Sequence, residues 1–270
     1  MVGDHMNDPH GISHSQDPGG SELLSLLQAQ AQAWDQRPLL RRLYSDWYQA
    51  IVERLASVPG KSIELGSGIG RLRDHAGSRI TLTDVEKTPW VDERVDALEL
   101  PYAGGSLANI VMLDVFHHLA DPSRFLDEAS RVLTEGGRLI MLEPYCSLVS
   151  TFLYKRFHQE RTDLDTPPFE HDAATAKAPF ESNQALTTLI FYRHRDEFRN
   201  RWPTLQLVEE QRLAFVLYPL SGGFTRRPLI PTALYGTLRL CEQFLNPLAP
   251  FLAFRCFLVL ENHDGLSVKP

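Results

Sequence analysis

The chain has 270 residues, of which 43% are apolar and 23% charged, and its formal net charge is −7. This length and apolar content predict one sizeable domain with insertions, or a domain with a small cap. The acidic balance argues against a non-specific nucleic-acid binder, because such proteins usually present a basic face.

The first 60 residues divide into a polar tail and a helical segment. Residues 1–20 are rich in Gly, His, Asp, Ser and Pro, and they lack the apolar stretch of a signal peptide. We expect a disordered tail there, although His5, His10 and His14 also allow a metal-binding tract. Residues 21–60 carry two apolar stripes at helical spacing, and Pro59 with Gly60 ends the second. The aromatic residues of these helices either contact a ligand or pack in the core.

Residues 61–144 alternate short apolar runs with helical segments. Strands are predicted at 62–65, 80–84, 95–97, 109–113 and 138–143, and a helix at 122–133 with Asp121 as its cap. Strands that alternate with helices imply a parallel sheet with right-handed crossovers. In such sheets the ligand lies beyond the carboxyl ends of the strands. The fold class is therefore α/β and Rossmann-like.

The first predicted strand runs directly into a glycine-rich turn, with the sequence IELGSGIG at residues 63–70. Glycines allow positive φ and let a ligand approach the main chain. The dinucleotide fingerprint needs a third glycine where this chain has Arg71, and Glu64 would repel a pyrophosphate. A carboxylate at position 64 suits an ammonium group, and Asp84 at the end of the next run suits a ribose diol. The stretch favours a nucleoside that carries an amino acid.

Three further motifs follow in order: VDALELPY at 95–102, NIVMLDVFHHL at 109–119 and EASRVLTEGGRLI at 128–140. Together with the glycine-rich turn they resemble the class I S-adenosylmethionine-dependent methyltransferases of the small-molecule, methyltransferase-11-like type. The resemblance implies S-adenosylmethionine as cofactor and a seven-stranded sheet with an antiparallel last strand. It also implies a set of cofactor-binding residues: Glu64, Gly66, Ser67, Gly68, Gly70, Asp84, Val85, Asp96, Ala97 and Asp114.

Each implied role is specific. Glu64 would meet the methionine ammonium, Asp84 both ribose hydroxyls and Val85 the adenine face. Asp96 and the N–H of Ala97 would hold the adenine amino group; an ordinary turn acid is the less favoured alternative for Asp96.

Methyl transfer to a weak nucleophile also needs a base. The candidates are His118, His117, His158 and Glu160, and His118 is alternatively a packing residue. The acids and histidines between 158 and 171 allow a metal-assisted reaction, but they show no ligand spacing, so we predict no metal.

Beyond the core the regular alternation stops. We assign 145–204 to a cap insertion and 205–270 to the last strands with an apolar helical insertion; these include a strand from 205 toward 217, a helix at 232–245 and a last strand at 253–261. Arginines among apolar residues at 213–260 allow a peripheral membrane contact, while packing on the domain itself or in a homodimer is the alternative.

The expected protein is a cytoplasmic methyltransferase, or one peripheral to the inner membrane. Three widely separated cysteines agree with a reducing compartment. Its acceptor would be a small molecule or a lipid- or sugar-linked metabolite, and nucleic acid is excluded. A catalytically silent S-adenosylmethionine-binding protein and a nicotinamide oxidoreductase are the rival interpretations.

Overall fold

The computed structural model of the protein describes residues 18–157, 160–169 and 182–263. The chain begins there with two helices, α1 (Pro18–Gln36) and α2 (Pro38–Glu53). Residues 18–20 therefore belong to a helix, so the predicted tail does not extend past residue 17. Residues 1–17 lie outside the described part of the chain. Pro38 suits the first position of α2, where the missing N–H is not needed.

Helices α1 and α2 place their apolar stripes inward. Four aromatic residues are buried: Trp34, Tyr44, Trp47 and Tyr48. They pack mainly on one another, with ring centroids 4.7 Å apart for Tyr44 and Trp47. A Cβ added to Gly68 would lie 3.7 Å from Leu27, so α1 reaches over the glycine-rich turn.

A seven-stranded sheet forms the centre of the molecule. Its strands are β1 (Lys61–Leu65), β2 (Thr81–Asp84), β3 (Glu93–Arg94), β4 (Leu107–Leu113), β5 (Leu133–Pro144), β6 (Leu205–Leu213) and β7 (Arg255–Asn262). Their order is β3-β2-β1-β4-β5-β7-β6. All pairs are parallel except those of β7, which runs antiparallel to both β5 and β6. The predicted Rossmann-like sheet with an antiparallel last strand is confirmed.

Helices connect the strands and cover both faces of the sheet. The remaining α-helices are α3 (Arg73–Ala76), α4 (Pro122–Val132), α5 (Leu148–Phe157), α6 (Leu186–Thr188), α7 (Arg195–Arg201), α8 (Leu217–Ser221), α9 (Tyr235–Leu245) and α10 (Ala249–Leu252). A π-helical turn follows α6 at Leu189–Arg193. Asp121 caps α4 by accepting a hydrogen bond from the Arg124 N–H, as the sequence predicts.

Three predicted strand boundaries are wrong. The third strand lies at 93–94 rather than 95–97, because Asp96 begins a turn that bridges to Glu99. The fifth begins at Leu133, directly after α4, since Gly136 at φ 70° lets the chain turn without leaving the sheet. The sixth ends at Leu213, because Ala214 has a φ of 64° and cannot continue a strand.

The core lies on both faces of the sheet. Alternate residues of each central strand point to opposite faces. In β4, Ile110 and Met112 join the cluster that contains Phe125 of α4, whereas Val111 joins the cluster that contains Trp47 of α2. Both clusters use fully buried strand residues, so the sheet is covered on each side and its carboxyl edge is held in one position. In the described part of the chain, no helix has the length and apolarity needed to cross a membrane.

Candidate functional site

Four acids meet at one edge of the sheet. Glu64 is the last residue but one of β1, Asp84 ends β2, Asp114 follows β4 and Glu143 lies near the end of β5. These four strands are mutually parallel, so their carboxyl ends lie side by side. The sequence-predicted site is thus assembled where such sheets bind ligands.

The turn after β1 is held in a shape that only glycine accepts readily. Gly66 and Gly68 have φ of 65° and 50°, in the left-handed region. A Cβ on Gly66 would lie 2.4 Å from a methyl group of Val115. The Ser67 hydroxyl accepts a hydrogen bond from the Thr83 N–H at 3.0 Å and donates to the Glu64 carbonyl at 3.3 Å. The turn therefore joins β1 to β2 and leaves the backbone at Gly68 open.

Glu64 is a buried carboxylate whose hydrogen-bonding capacity is only partly used. It is 4% exposed, and its Oε2 atom has no hydrogen-bond partner. Burial raises its pKa to about 8, a bond to Ser67 acts against this rise, and nearby Asp84 adds to it. A buried acid without a partner is costly unless a cation or donor arrives. The methionine ammonium of the predicted cofactor would supply both, so the site fits that group.

Asp84 closes the turn from the second strand. Its Oδ2 accepts a hydrogen bond from the Gly68 N–H at 3.1 Å, and its Oδ1 accepts one from the Glu86 N–H at 3.4 Å. Burial raises its pKa, while these backbone bonds act to lower it. Carboxylate oxygens have about four acceptor positions, so capacity for a diol is left. Val85 is 52% exposed beside it, an open apolar surface for a flat ring.

The predicted adenine acid Asp96 is exposed. Its Oδ1 accepts a hydrogen bond from the Leu98 N–H at 2.8 Å, which is the arrangement of a turn acid. The turn interpretation explains this geometry. The roles of Asp96 and the partly buried Ala97 toward adenine stay predictions.

Asp114 occupies a strained position next to a buried arginine. Its φ is 59°, unusual for a non-glycine residue and frequent at functional sites. Burial raises its pKa, and an ion pair with Arg255 acts against that rise. Arg255 also donates to the Tyr218 hydroxyl at 2.5 Å, and Tyr44 donates to Asp114 at 3.4 Å. This group ties the end of β4 to the start of β7 and to α2.

His117 lies between two carboxylates. Its Nδ1 is 2.7 Å from Glu143, and its Nε2 is 3.4 Å from Glu160. Burial acts to lower its pKa, but the hydrogen bonds to Glu143 and Glu160 outweigh burial and raise the pKa to about 9. Burial by itself raises the pKa of the Glu143 carboxyl, but the contacts with His117 and with the N–H groups of Phe116 and Val115 outweigh burial and lower this pKa. Glu143 accepts from those two N–H groups at 2.8 Å, so it fixes the loop after β4.

Glu160 reaches this cluster from the cap. Its carboxylate also accepts a hydrogen bond from the Gln184 side chain, and it is 30% exposed. The ring of His118 lies 4.1 Å from the ring of His117. His158 falls outside the described residues. Three of the four predicted catalytic residues therefore lie together, and the role of His118 stays a prediction.

The same three side chains also form a group that could hold a divalent ion. One ligand atom from each of His117, His118 and Glu160 lies within 4.8 Å of the others. The ion pairs of His117 with Glu143 and Glu160 account for the arrangement without an ion. The prediction of no metal stays a prediction.

Three residues of the site were missed by sequence reasoning. Arg255 had a signal, since it is a charged residue inside an otherwise apolar predicted strand. Glu143 stands at the end of the strand predicted at 138–143, a position that gives it no specific role. Gln184 has no sequence signal, because only the folding of the cap brings it to Glu160.

Comparison with known proteins identifies the central segment. Residues 63–141 match the family model described as a methyltransferase domain. Norajmaline N-methyltransferase from Rauvolfia serpentina is 24% identical over 163 residues, which cover 53% of this chain. The aligned region is 51% of that enzyme, so the chain spans about half the length of this relative.

Solved structures agree on the fold. The geranyl diphosphate C-methyltransferase of Streptomyces coelicolor A3(2), in complex with Mg²⁺, geranyl diphosphate and S-adenosyl-L-homocysteine, superposes with a TM-score of 0.53 at 13% identity. The superposition covers 92% of this chain and 98% of that one. A geranyl diphosphate methyltransferase in complex with S-adenosylmethionine superposes less closely, with a TM-score of 0.49 at 13% identity over 93% of this chain and 92% of that one. The predicted resemblance to a methyltransferase is confirmed for residues 63–141 by the family model, and the solved structure supports the fold.

Proposed function

We infer that this chain, whose residues 63–141 belong to the methyltransferase domain family, is an S-adenosylmethionine-dependent methyltransferase. One observation carries the inference from family to activity. The buried carboxyl group of Glu64 lacks a partner on one oxygen, beside a glycine turn whose Gly68 N–H donates to Asp84. Those groups suit an ammonium group, a ligand that approaches the main chain closely, and a ribose diol. One cofactor, S-adenosylmethionine, combines all three features.

The cofactor supplies an activated methyl group, and the protein supplies approach geometry and proton handling. Glu64 would hold the ammonium, and the backbone at Gly66, Ser67, Gly68 and Gly70 would follow the amino-acid end and ribose. Asp84 would accept from the ribose hydroxyls. Val85, Asp96 and Ala97 would border the adenine, and the backbone of Asp114 would line the site toward the acceptor.

Among the candidate bases, we assign the acceptor's proton to Glu160. His117 holds a proton at neutral pH because two carboxylates face it, so it is poorly suited to accept another. Glu160 is partly exposed, and its Oε2 atom contacts both His117 and the Gln184 side chain, which orients the carboxylate. A base fixed in this way contributes on the order of a hundredfold to ten-thousandfold. His118 and His158 remain predictions.

The acceptor is a small molecule or a lipid- or sugar-linked metabolite, methylated at oxygen, nitrogen or carbon. The acidic chain, with a pI near 5.8, supports an acceptor other than nucleic acid. The proposal includes a cytoplasmic location and a homodimeric state. A silent binding protein would keep the cofactor pocket but transfer no methyl group to any component of a cell extract.

Calorimetric titration with S-adenosylmethionine and S-adenosylhomocysteine tests the proposal directly. The wild type should bind both in the micromolar range, and Asp84→Ala should abolish binding. Asp196→Ala is the matched control, because Asp196 is 96% exposed and lies on α7, which precedes β6 at the far edge of the sheet from β2. A folded wild type that binds neither compound would refute the cofactor assignment.

The role of Glu160 has its own test. Methyl incorporation from labelled cofactor into extract should fall at least about a hundredfold in Glu160→Gln, with cofactor affinity unchanged. His118→Gln serves as the comparison, since its side chain lies next to the same cluster. Equal turnover by wild type and Glu160→Gln would show that Glu160 accepts no proton.

A further inference from the structure

Exposed apolar side chains are concentrated in two segments of the late part of the chain. Four belong to α5 and six to residues 229–251; together they are Leu148, Val149, Phe152, Phe157, Leu229, Leu234, Leu240, Phe244, Leu248 and Phe251. Phe244 is 83% and Phe152 67% exposed. Only four other large apolar side chains of the described residues are comparably exposed. Contiguous apolar surface of this kind marks a site of interaction.

The two segments adjoin. Helix α10 packs against α5. The Arg226 side chain donates to the carbonyl of Phe157 at 3.3 Å, which joins the loop before α9 to the end of α5. Helix α9 buries only Tyr235 of its eleven residues. We call the exposed apolar side chains of α5 and 229–251 the apolar face.

The charge around the apolar face is opposite to that of the chain. Residues 145–157 and 213–254 contain five basic residues and a single acid, Glu242, although the whole chain carries −7. Lys155, Arg156, Arg226 and Arg227 are exposed. The Glu242 carboxylate is engaged inward, where it accepts from the N–H groups of Val216 and Leu217 at 2.7 and 2.8 Å.

We propose that the apolar face docks on an anionic membrane surface. Exposed Phe and Leu flanked by Lys and Arg are the composition that enters the headgroup region of a bilayer, and the basic residues add attraction to acidic lipids. A second copy of this acidic chain would not explain why basic residues surround the apolar face. This proposal rests on the proposed function and makes it more specific, because it assigns the acceptor to the lipid-linked class.

The position of the apolar face relative to the site supports this choice. Helix α5 begins shortly after β5 ends at Pro144, and α10 ends just before β7 starts at Arg255. Both therefore stand at the carboxyl edge of the sheet, where Asp114 and Glu143 also lie. A membrane on this side would bring the headgroup of a lipid-linked acceptor to the rim of the site.

Vesicle co-sedimentation of the full chain tests the proposal without cofactor or acceptor. Vesicles of phosphatidylcholine with one third phosphatidylglycerol should retain the protein, and pure phosphatidylcholine should retain much less. Phe152→Ser and Phe244→Ser should each weaken binding by about tenfold. Arg226→Gln and Arg227→Gln should each weaken it by about fivefold and reduce its salt dependence. Val208→Ser is the control, because Val208 is 49% exposed on β6 outside the apolar face.

Each outcome either supports the membrane proposal or overturns it. Retention lost in the Phe and Arg variants but kept in Val208→Ser supports the proposal. No retention, or equal retention by both vesicle types, overturns it. A concentration-dependent dimer that Phe244→Ser dissolves, with no retention on vesicles, would assign the apolar face to a second copy instead. Calorimetric binding of S-adenosylmethionine is measured on the same samples, so failure at the membrane is distinguishable from failure of the proposed function.

Discussion

Replacing Glu64 by glutamine should stabilise the protein without ligand and weaken its binding of S-adenosylmethionine. The carboxyl has a pKa of about 8 in the folded chain, against a usual value of 4.5. Between these two values the folded state keeps a proton that the unfolded state has lost. Stability therefore falls as pH rises through this window, and the loss is complete above the folded pKa. Glutamine keeps the shape but carries no titrating group.

The magnitude follows from the width of the window. Each pH unit costs the wild type about 1.4 kcal/mol, so the full effect is about 4 to 5 kcal/mol at alkaline pH. At pH 7 the glutamine variant should be more stable by up to about 3 kcal/mol. Such a gain would mean that the buried acid is retained for binding rather than for stability.

Urea unfolding of both proteins between pH 5 and 9 measures the effect. The free energy of unfolding of the wild type should fall relative to that of Glu64→Gln by about 1.4 kcal/mol per pH unit. The difference between the two proteins should level off above pH 8. Glu99→Gln is the control, because Glu99 is 83% exposed. Parallel curves for wild type and Glu64→Gln, or a variant less stable throughout, would refute the assignment of an unpaired buried acid.

Further expectations concern the turn and the buried ion pair. Gly68→Ala and Gly77→Ala should each cost about 1 kcal/mol, since both glycines have positive φ and neither added Cβ meets a close neighbour, but only Gly68→Ala should weaken cofactor binding in calorimetry. Arg255→Ala should lower the free energy of unfolding by about 3 to 5 kcal/mol in urea, because it leaves Asp114 buried without its partner. Arg239→Ala, which breaks a 2.8 Å pair at a half-exposed arginine, should cost less than about 1 kcal/mol.

Cofactor binding should also release protons from Glu64. An arriving ammonium favours the ionised carboxylate, so near pH 7 the complex should hold about one proton fewer at this position than the free protein. Titrations in phosphate and in Tris separate this release, because the two buffers differ in ionisation enthalpy. Identical apparent enthalpies in both buffers for the wild type would contradict the expected release.

The sequence alone determined the α/β class, the place of the glycine-rich turn and most strand positions. This was possible because those features are local: an apolar run, a glycine turn and an acid follow one another within eight residues at 63–70. Parallel strands then bring their carboxyl ends together by topology, so the meeting of Glu64 with Asp84 followed from the order of elements. The third strand was misplaced because a two-residue strand leaves no periodic signal.

Only the tertiary structure decided how the charged groups are paired. Asp114 and Arg255 are 141 residues apart and meet because β7 inserts antiparallel beside β5. Glu160 joins His117 because the cap folds back over β4, and this contact turns a candidate base into a protonated partner. Pairing and burial set the charge of such groups, and neither is a property of local sequence. The sequence therefore predicted a site at the carboxyl edge of the sheet, whereas the pairing of its charged groups had to be taken from the fold.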